Sequence, residues 1–259
     1  MHPSPYSAMV TSDWNECLAP SGPFDAIAFH YPDHRPLLES VFRDYTGNRI
    51  PLAAAIDRIG ALLPGGITQT QMDAFLARGF TAYRGVRELI EWCAGNGVLF
   101  MINTTAVIGF FQRALALKLL PPVAALAAHP WVRYAAGPAD PATIFDLFAT
   151  SDKARHSAAA AAQFNIPPER IIVIGDSGGD GPHFEWGAHT GARLVASMAK
   201  PSLQDYCRRH AIRIDHHFGC TYAEGQPRDP EREQGYDFKD LIPVIEKMLH
   251  EPGNVPSAG

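Results

Sequence analysis

Six residues have the types and surroundings to do chemistry together: Asp13, Thr104, Thr105, Lys153, Asp176 and Asp180. Asp13 follows the segment SAMVTS, and the two threonines follow the apolar run VLFMI. Asp176 and Asp180 sit in GDSGGDG, directly after the apolar run IIVI, and Lys153 opens the helical segment upstream of it. A carboxylate such as Asp13 can attack phosphorus only if the repulsion between two anions is offset. Mg²⁺ offsets it with hard oxygen ligands and few protein groups. Lysine and hydroxyl donors can hold the remaining phosphoryl oxygens. The set therefore suits phosphoryl transfer through an aspartyl-phosphate, provided the fold brings these segments to one rim.

The elements that would do so are readable from pattern. Ser7–Ser12 reads as a first strand and Val98–Ile102 as a buried second one. Ile171–Ile174 is a continuous apolar run of the kind buried on both faces of a parallel sheet. It counts as a fourth strand if Trp131–Tyr134 is the third; residues 123–150 are otherwise ambiguous. Arg193–Ala196 is a candidate further strand. Gly85–Gly95, Val107–Leu120, Asp152–Phe164 and Asp237–Leu249 have helical spacing. Between residues 20 and 84, LLESVFRDY, AAAIDRIGALL and QMDAFLARGF carry apolar residues at helical period, and Pro64-Gly65-Gly66 ends the middle one. The segment AEGQPRDPEREQG is polar and rich in Pro and Gly, so it reads as a loop. Strand and helix alternation predicts an α/β fold, a doubly wound, Rossmann-like parallel sheet with an inserted helical cap domain. The expected division is a core of residues 1–19 and 85–250, a helical cap of residues 20–84 and a disordered tail at 251–259. In such sheets ligands bind beyond the carboxyl ends of the strands.

Composition narrows the class. The chain has 259 residues, 46% of them hydrophobic and 19% charged, with a net charge of −5. That is ordinary for a globular enzyme. No basic stripe is present, so a nucleic-acid partner is not expected. No apolar run reaches the length of a membrane helix, and the N-terminus MHPSPYSAMV lacks a signal-peptide pattern. The four scattered cysteines form no CxxC pair, which points to a reducing, cytoplasmic setting without a zinc knuckle. His183, His189, His216 and His217 have no ligand spacing with carboxylates or cysteines and read as surface or core histidines. Several cap cations, among them Arg35, Arg43 and Arg49, could meet an anionic substrate, although solvation is the plainer role for most.

These motifs resemble those of the haloacid dehalogenase superfamily of phosphohydrolases, with a cap of the phosphoserine-phosphatase type. The resemblance rests on Asp13-Trp14-Asn15-Glu16-Cys17 after a strand, Thr104 in LFMINTT, Lys153 in SDKARHS and IIVIGDSGGD, and it spans residues 7 to about 200. It implies that Asp13 is nucleophile and metal ligand, that Asn15 gives its backbone carbonyl to Mg²⁺, and that Thr104 and Lys153 bind the phosphoryl group, with Thr105 as alternative. Asp176 would ligate the metal and Asp180 support it. The substrate would be a small phosphorylated metabolite.

The pattern departs from the family at Asn15, where phosphatases carry a second aspartate that protonates the leaving group and then activates water. An amide does neither, and loss of such a group typically costs ~10²–10⁴ in rate. This leaves several readings open: a slow phosphatase, proton supply by the substrate or by Glu16, an engineered substitution, or other chemistry on the same scaffold. The other chemistries are a phosphonatase, which needs a cap lysine that residues 20–84 lack, and a metal-free dehalogenase. A catalytically impaired Mg²⁺- and phosphate-binding protein is the reading from another class.

Overall fold

The computed structural model describes residues 5–47, 49–63 and 65–250. The tail expected to be disordered lies outside the described residues, as does Pro64. Seven strands form one sheet: β1 (Ala8–Ser12), β2 (Val98–Val107), β3 (Ala125–His129), β4 (Thr143–Asp146), β5 (Ile171–Gly175), β6 (Arg193–Ala199) and β7 (His216–Thr221). Their order is β4-β3-β2-β1-β5-β6-β7, and every pairing is parallel. β1, β2, β3 and β5 are buried along their whole length, because helices cover both faces.

Among the described residues, eleven α-helices accompany the sheet. They are α1 (Asp25–His30), α2 (Arg35–Thr46), α3 (Leu52–Leu62), α4 (Gln69–Gly79), α5 (Val86–Gly95), α6 (Ile108–Ala116), α7 (Asp152–Gln163), α8 (Gly181–Thr190), α9 (Pro201–Arg209), α10 (Pro230–Glu233) and α11 (Leu241–His250). α1 to α4 all fall between β1 and β2. Thr68 and Gln71 close the start of α4 with reciprocal side-chain and backbone bonds. Arg113 of α6 grips Asp73 of α4 with bonds of 2.7 and 3.1 Å. α2 packs against the turn at Gly178–Asp180. α2 thus lies at the carboxyl end of the sheet, beside the acidic turn.

The order of the strands fixes where a ligand can sit. From β1 the chain steps outward through β2, β3 and β4, then returns to β5 on the other side of β1. The direction of winding therefore reverses between β1 and β5, and such a switch point leaves a crevice at the strands' carboxyl ends. Asp13 follows β1 and Asp176 follows β5. The backbone N–H of Asp13 donates to Ile174 O at 3.0 Å, which locks the two strand ends side by side.

The structure differs from the sequence expectation at several elements. Trp131–Tyr134 is a turn, and the strands of that region are β3 and β4, so the run before Asp176 is the fifth strand. The aromatic turn is taken up by α6 and the loop before α4. Val132 O accepts from Gly109 N at 2.8 Å, and Tyr134 OH donates to Ile67 O at 2.9 Å. β2 runs on through both threonines to Val107, and the following helix starts at Ile108 and stops at Ala116, short of the expected Leu120. β7 carries two histidines and a glycine, so no apolar run announced it. The segment expected to be a loop contains α10, whose Glu233 is fully buried. Among the described residues no helix is long and apolar enough to cross a membrane.

Candidate active site

Asp13 occupies the first position beyond β1. Its backbone direction is set by the buried strand, and Trp14, fully buried against Phe80 and Phe111, anchors the chain just after it. One carboxylate oxygen accepts from Trp14 N at 2.7 Å, the other lies 3.1 Å from Lys153 Nζ, and the hydroxyl of Thr104 adds a hydrogen bond. Burial is the strongest influence on Asp13 and raises its pKa, while Lys153 works against it.

Asp180 folds back under the same site. Its Oδ2 accepts from the backbone N–H groups of Asp176 and Ser177 at 3.0 and 3.2 Å, and Lys153 Nζ donates to its Oδ1 at 2.6 Å. Burial opposes ionisation, yet Lys153 and the two N–H donors outweigh it and hold the carboxyl below its usual range. The close fold-back depends on Gly175, where an added Cβ would stand 2.6 Å from Asp180 Cγ.

Lys153 is buried in the first turn of α7, which ion pairs with Asp13 and Asp180 make tolerable. Burial favours its neutral form, but the two carboxylates override it and raise its pKa. Beneath it lies a buried polar network. Asn103 Nδ2 donates to Lys153 O at 2.8 Å and to Ser157 Oγ at 3.0 Å, and Ser157 Oγ contacts His183 Nε2 at 2.9 Å. His183 is therefore a core histidine.

Asp176 is almost wholly buried, and neither of its carboxylate oxygens has a hydrogen-bond partner. The ammonium of Lys200 lies 2.6 Å from Oδ2, an ion-pair contact. Burial raises the Asp176 pKa well above the ordinary value; Lys200 opposes this, while Asp180, Asp13 and Glu16 reinforce it. Ligand oxygens of Asp13, Asp176 and Asp180 all lie within 4.8 Å of one another.

The two threonines divide their tasks. Thr104 bonds Asp13, whereas Thr105 lines the crevice and meets Tyr45 OH of α2 at 2.9 Å. Asn15 also lines the crevice; its amide donates to Ser21 O at 3.0 Å, and its Oδ1 is buried without a hydrogen-bond partner. Glu16 adopts φ 58°, a left-handed conformation that a non-glycine residue enters at a cost of about 1–3 kcal/mol. Its carboxylate pairs with both Lys200 and Arg228. Burial pushes its pKa up, but these two cations prevail and hold it below the usual carboxylate range. Cys17 is fully buried, a packed small residue.

The crevice is lined by Asp13, Asn15, Tyr45, Thr105, Lys153, Asp176 and Lys200, among others. It shares Phe42, Thr46 and Lys200 with a wider groove that includes Arg43, Arg49, Tyr222 and Arg228. Of the cations in the α1–α4 region named above, Arg43 and Arg49 border this groove. Arg35 lies elsewhere, beside Phe24 and Asp25.

Sequence reasoning missed three residues. Lys200 ends β6 on the same rim, and extending that strand from Ala196 to Ala199 would have found it. Tyr45 and Arg228 carried no signal; Arg228 sits in a stretch whose composition says solvent. Yet it binds Glu16 and Glu233 and donates to Tyr83 OH at 3.0 Å.

No family model matches the sequence, and no curated protein matches it. Solved structures do match in fold. A phospho-aspartyl intermediate analogue of phosphoserine phosphatase aligns with a TM-score of 0.66 at 14% identity, over 93% of this chain and 99% of that one. A substrate-bound phosphoserine phosphatase complex aligns with a TM-score of 0.65 at 14% identity, over 92% and 98%. A HAD-family hydrolase from Salmonella enterica serovar Typhi aligns at 0.59 and 17% identity, over 84% and 69%. The chain shares its overall fold with these structures.

Proposed function

We propose that this chain is a Mg²⁺-dependent phosphohydrolase that acts on a small phosphorylated metabolite through an aspartyl-phosphate on Asp13. The observation that carries the reading is the meeting of Asp13, Asp176 and Asp180 around one point at the switch of the sheet, with Lys153 spanning two of them. The likeness in fold to phosphoserine phosphatase structures supports the same reading.

The donor set fits Mg²⁺. All three carboxylates offer hard oxygens, and Asp176 is a buried carboxylate that no hydrogen bond satisfies, a costly arrangement without a further cationic partner. Asp13, Asp176 and the backbone carbonyl of Asn15 would hold the ion, with Asp180 supporting it. When bound, the ion supplies charge neutralisation between the attacking carboxylate and the phosphoryl oxygens. The rest falls to the chain. Lys153 and Thr104 orient Asp13 for in-line attack and, with Thr105, bind the phosphoryl group. Asp180 anchors Lys153. Residues 20–84 act as a cap that covers the crevice, with the leaving group in the adjoining groove beside Arg43, Arg49 and Arg228. The acidic balance of the chain does not favour a nucleic-acid substrate.

Turnover is the weak half of the cycle. The Asn15 amide neither gives nor takes a proton at neutral pH. Glu16 does not replace it, because two cations hold it ionised. Asn15 therefore also favours a second reading, a protein that binds Mg²⁺ and phosphate and turns over too slowly to matter as an enzyme. Hydrolysis of p-nitrophenyl phosphate and a metabolite panel, with Mg²⁺ or EDTA, tests the first reading. Activity that vanishes with EDTA and in Asp13→Asn supports it. Activity indifferent to both, or absent altogether, overturns it.

A further inference from the structure

Lys200 is the basic residue of the site that neither the motifs nor the proposed reaction accounts for. Its main-chain N–H donates to Asp176 O at 2.8 Å, so the end of β6 is tied to the loop that carries the acidic cluster. Its ammonium lies beneath the ring of Phe42, 5.4 Å from the centroid. There it is shared between two carboxylates, Asp176 and Glu16. The two are not equivalent. Asp176 belongs to the three-carboxylate cluster. Glu16 stands outside that cluster and is braced from behind by Arg228, which Glu233 holds in turn.

We infer that Lys200 is a positioning residue that sets the affinity of the cluster for its divalent cation: the cation draws Asp176 off Lys200, and Glu16 keeps the ammonium. The inference rests on the Mg²⁺ reading of the cluster. Its physical basis is that a fixed positive charge beside a ligand carboxylate opposes a second, divalent one in the partly desolvated interior. Glu16 lowers that opposition because it offers the ammonium another anion within reach of the same side chain. The strained backbone at Glu16 is then the cost of aiming a carboxylate at Lys200 from the loop after β1.

The two carboxylate partners give the inference opposite signs to test. Mg²⁺ binding to the full-length protein is measured by isothermal titration calorimetry, without substrate, for the wild type and for Lys200→Met, Lys200→Arg, Glu16→Gln and Asp176→Asn. Removal of the ammonium should tighten Mg²⁺ binding by about tenfold or more, and Lys200→Arg, which keeps the charge, should not. Glu16→Gln leaves Lys200 with Asp176 alone and should weaken binding several-fold. If Asp176→Asn loses Mg²⁺ but Lys200→Met binds it no more tightly than wild type, the inference about Lys200 is wrong while the metal site stands. If wild type binds no Mg²⁺, or Asp176→Asn leaves binding unchanged, both fall. Should Lys200→Met fail to fold, Glu16→Gln still decides: unchanged or tighter binding there overturns the inference.

Discussion

Asn15→Asp should convert a slow turnover into a fast one, and the local structure says why. Asn15 Nδ2 donates to Ser21 O at 3.0 Å. An aspartate in the same rotamer would set one carboxyl oxygen against that carbonyl, acceptor against acceptor. The conflict disappears when the oxygen carries a proton, because the O–H then donates to Ser21. The new carboxyl is thus favoured in its acid form until a leaving group takes the proton, which is what a general acid needs. Such a group is worth ~10²–10⁴ in rate, or about 3–5 kcal/mol off the barrier. The assay is kcat/KM with Mg²⁺ for an alkyl phosphate and for p-nitrophenyl phosphate. The alkyl substrate, whose alkoxide needs the proton, should gain most, and its pH–rate profile should acquire a new descending limb on the alkaline side. A folded Asn15→Asp protein that still binds Mg²⁺ yet gains nothing on the alkyl substrate would refute the reasoning. The binding-protein reading would then be the stronger one.

Other perturbations test the supports of the site. Lys153→Met leaves Asp13 and Asp180 buried without their shared cation, and breaking a buried pair in this way costs about 3–5 kcal/mol. Urea unfolding of the variant should show that loss together with loss of phosphatase activity. Gly175→Ala places a Cβ 2.6 Å from Asp180 Cγ and should destabilise by about 1–3 kcal/mol in the same measurement. His183 supplies a pH signature. Burial first, and then Lys153, lower its pKa to about 3 in the folded chain, so the unfolded state binds the extra proton below its own value of 6.5. Stability should therefore fall as pH drops from 6.5, at up to about 1.4 kcal/mol per unit from this one residue. His183→Gln should lack that component; identical pH dependence in both proteins would show that His183 is not its source.

What the sequence disclosed follows from how each residue is held. Asp176 and Asp180 were legible because they follow a strand buried on both faces that announces itself as an unbroken apolar run, whereas Asp13 follows AMVTS, whose last two residues are polar, and was legible through the motifs that accompany it. β3 escaped because ALAAH is too small and too alanine-rich for a strand signal, while the bulky Trp131–Tyr134 beside it serves α6. Thr104 and Thr105 could not be told apart, because the register of β2 against β3 shifts between Asn103 and Val107 and strand alternation fails just there. Arg228 and Glu233 look solvated in composition. Glu233 is buried and Arg228 half-buried because each satisfies the other, a pairing between residues that no local pattern reveals.

The charge of the site argues for an order of binding. In the inner ring the carboxylates of Asp13, Asp176 and Asp180 face the ammoniums of Lys153 and Lys200, so the ring carries an excess of negative charge. Glu16 deepens the excess, since it claims part of the Lys200 charge, and the single positive charge of Arg228 offsets only half of what Glu16 and Glu233 together add. A phosphate monoester, itself an anion, would enter against this field. A divalent cation held as proposed by Asp13 and Asp176 would reverse the sign of the ring. On the proposed reading the cation is therefore required for substrate binding as well as for the chemical step. The same excess explains why Lys200 needs Glu16. An ammonium left on Asp176 would reduce the negative charge that recruits the cation, whereas one held by Glu16 leaves that charge exposed where Asp13 and Asp176 meet.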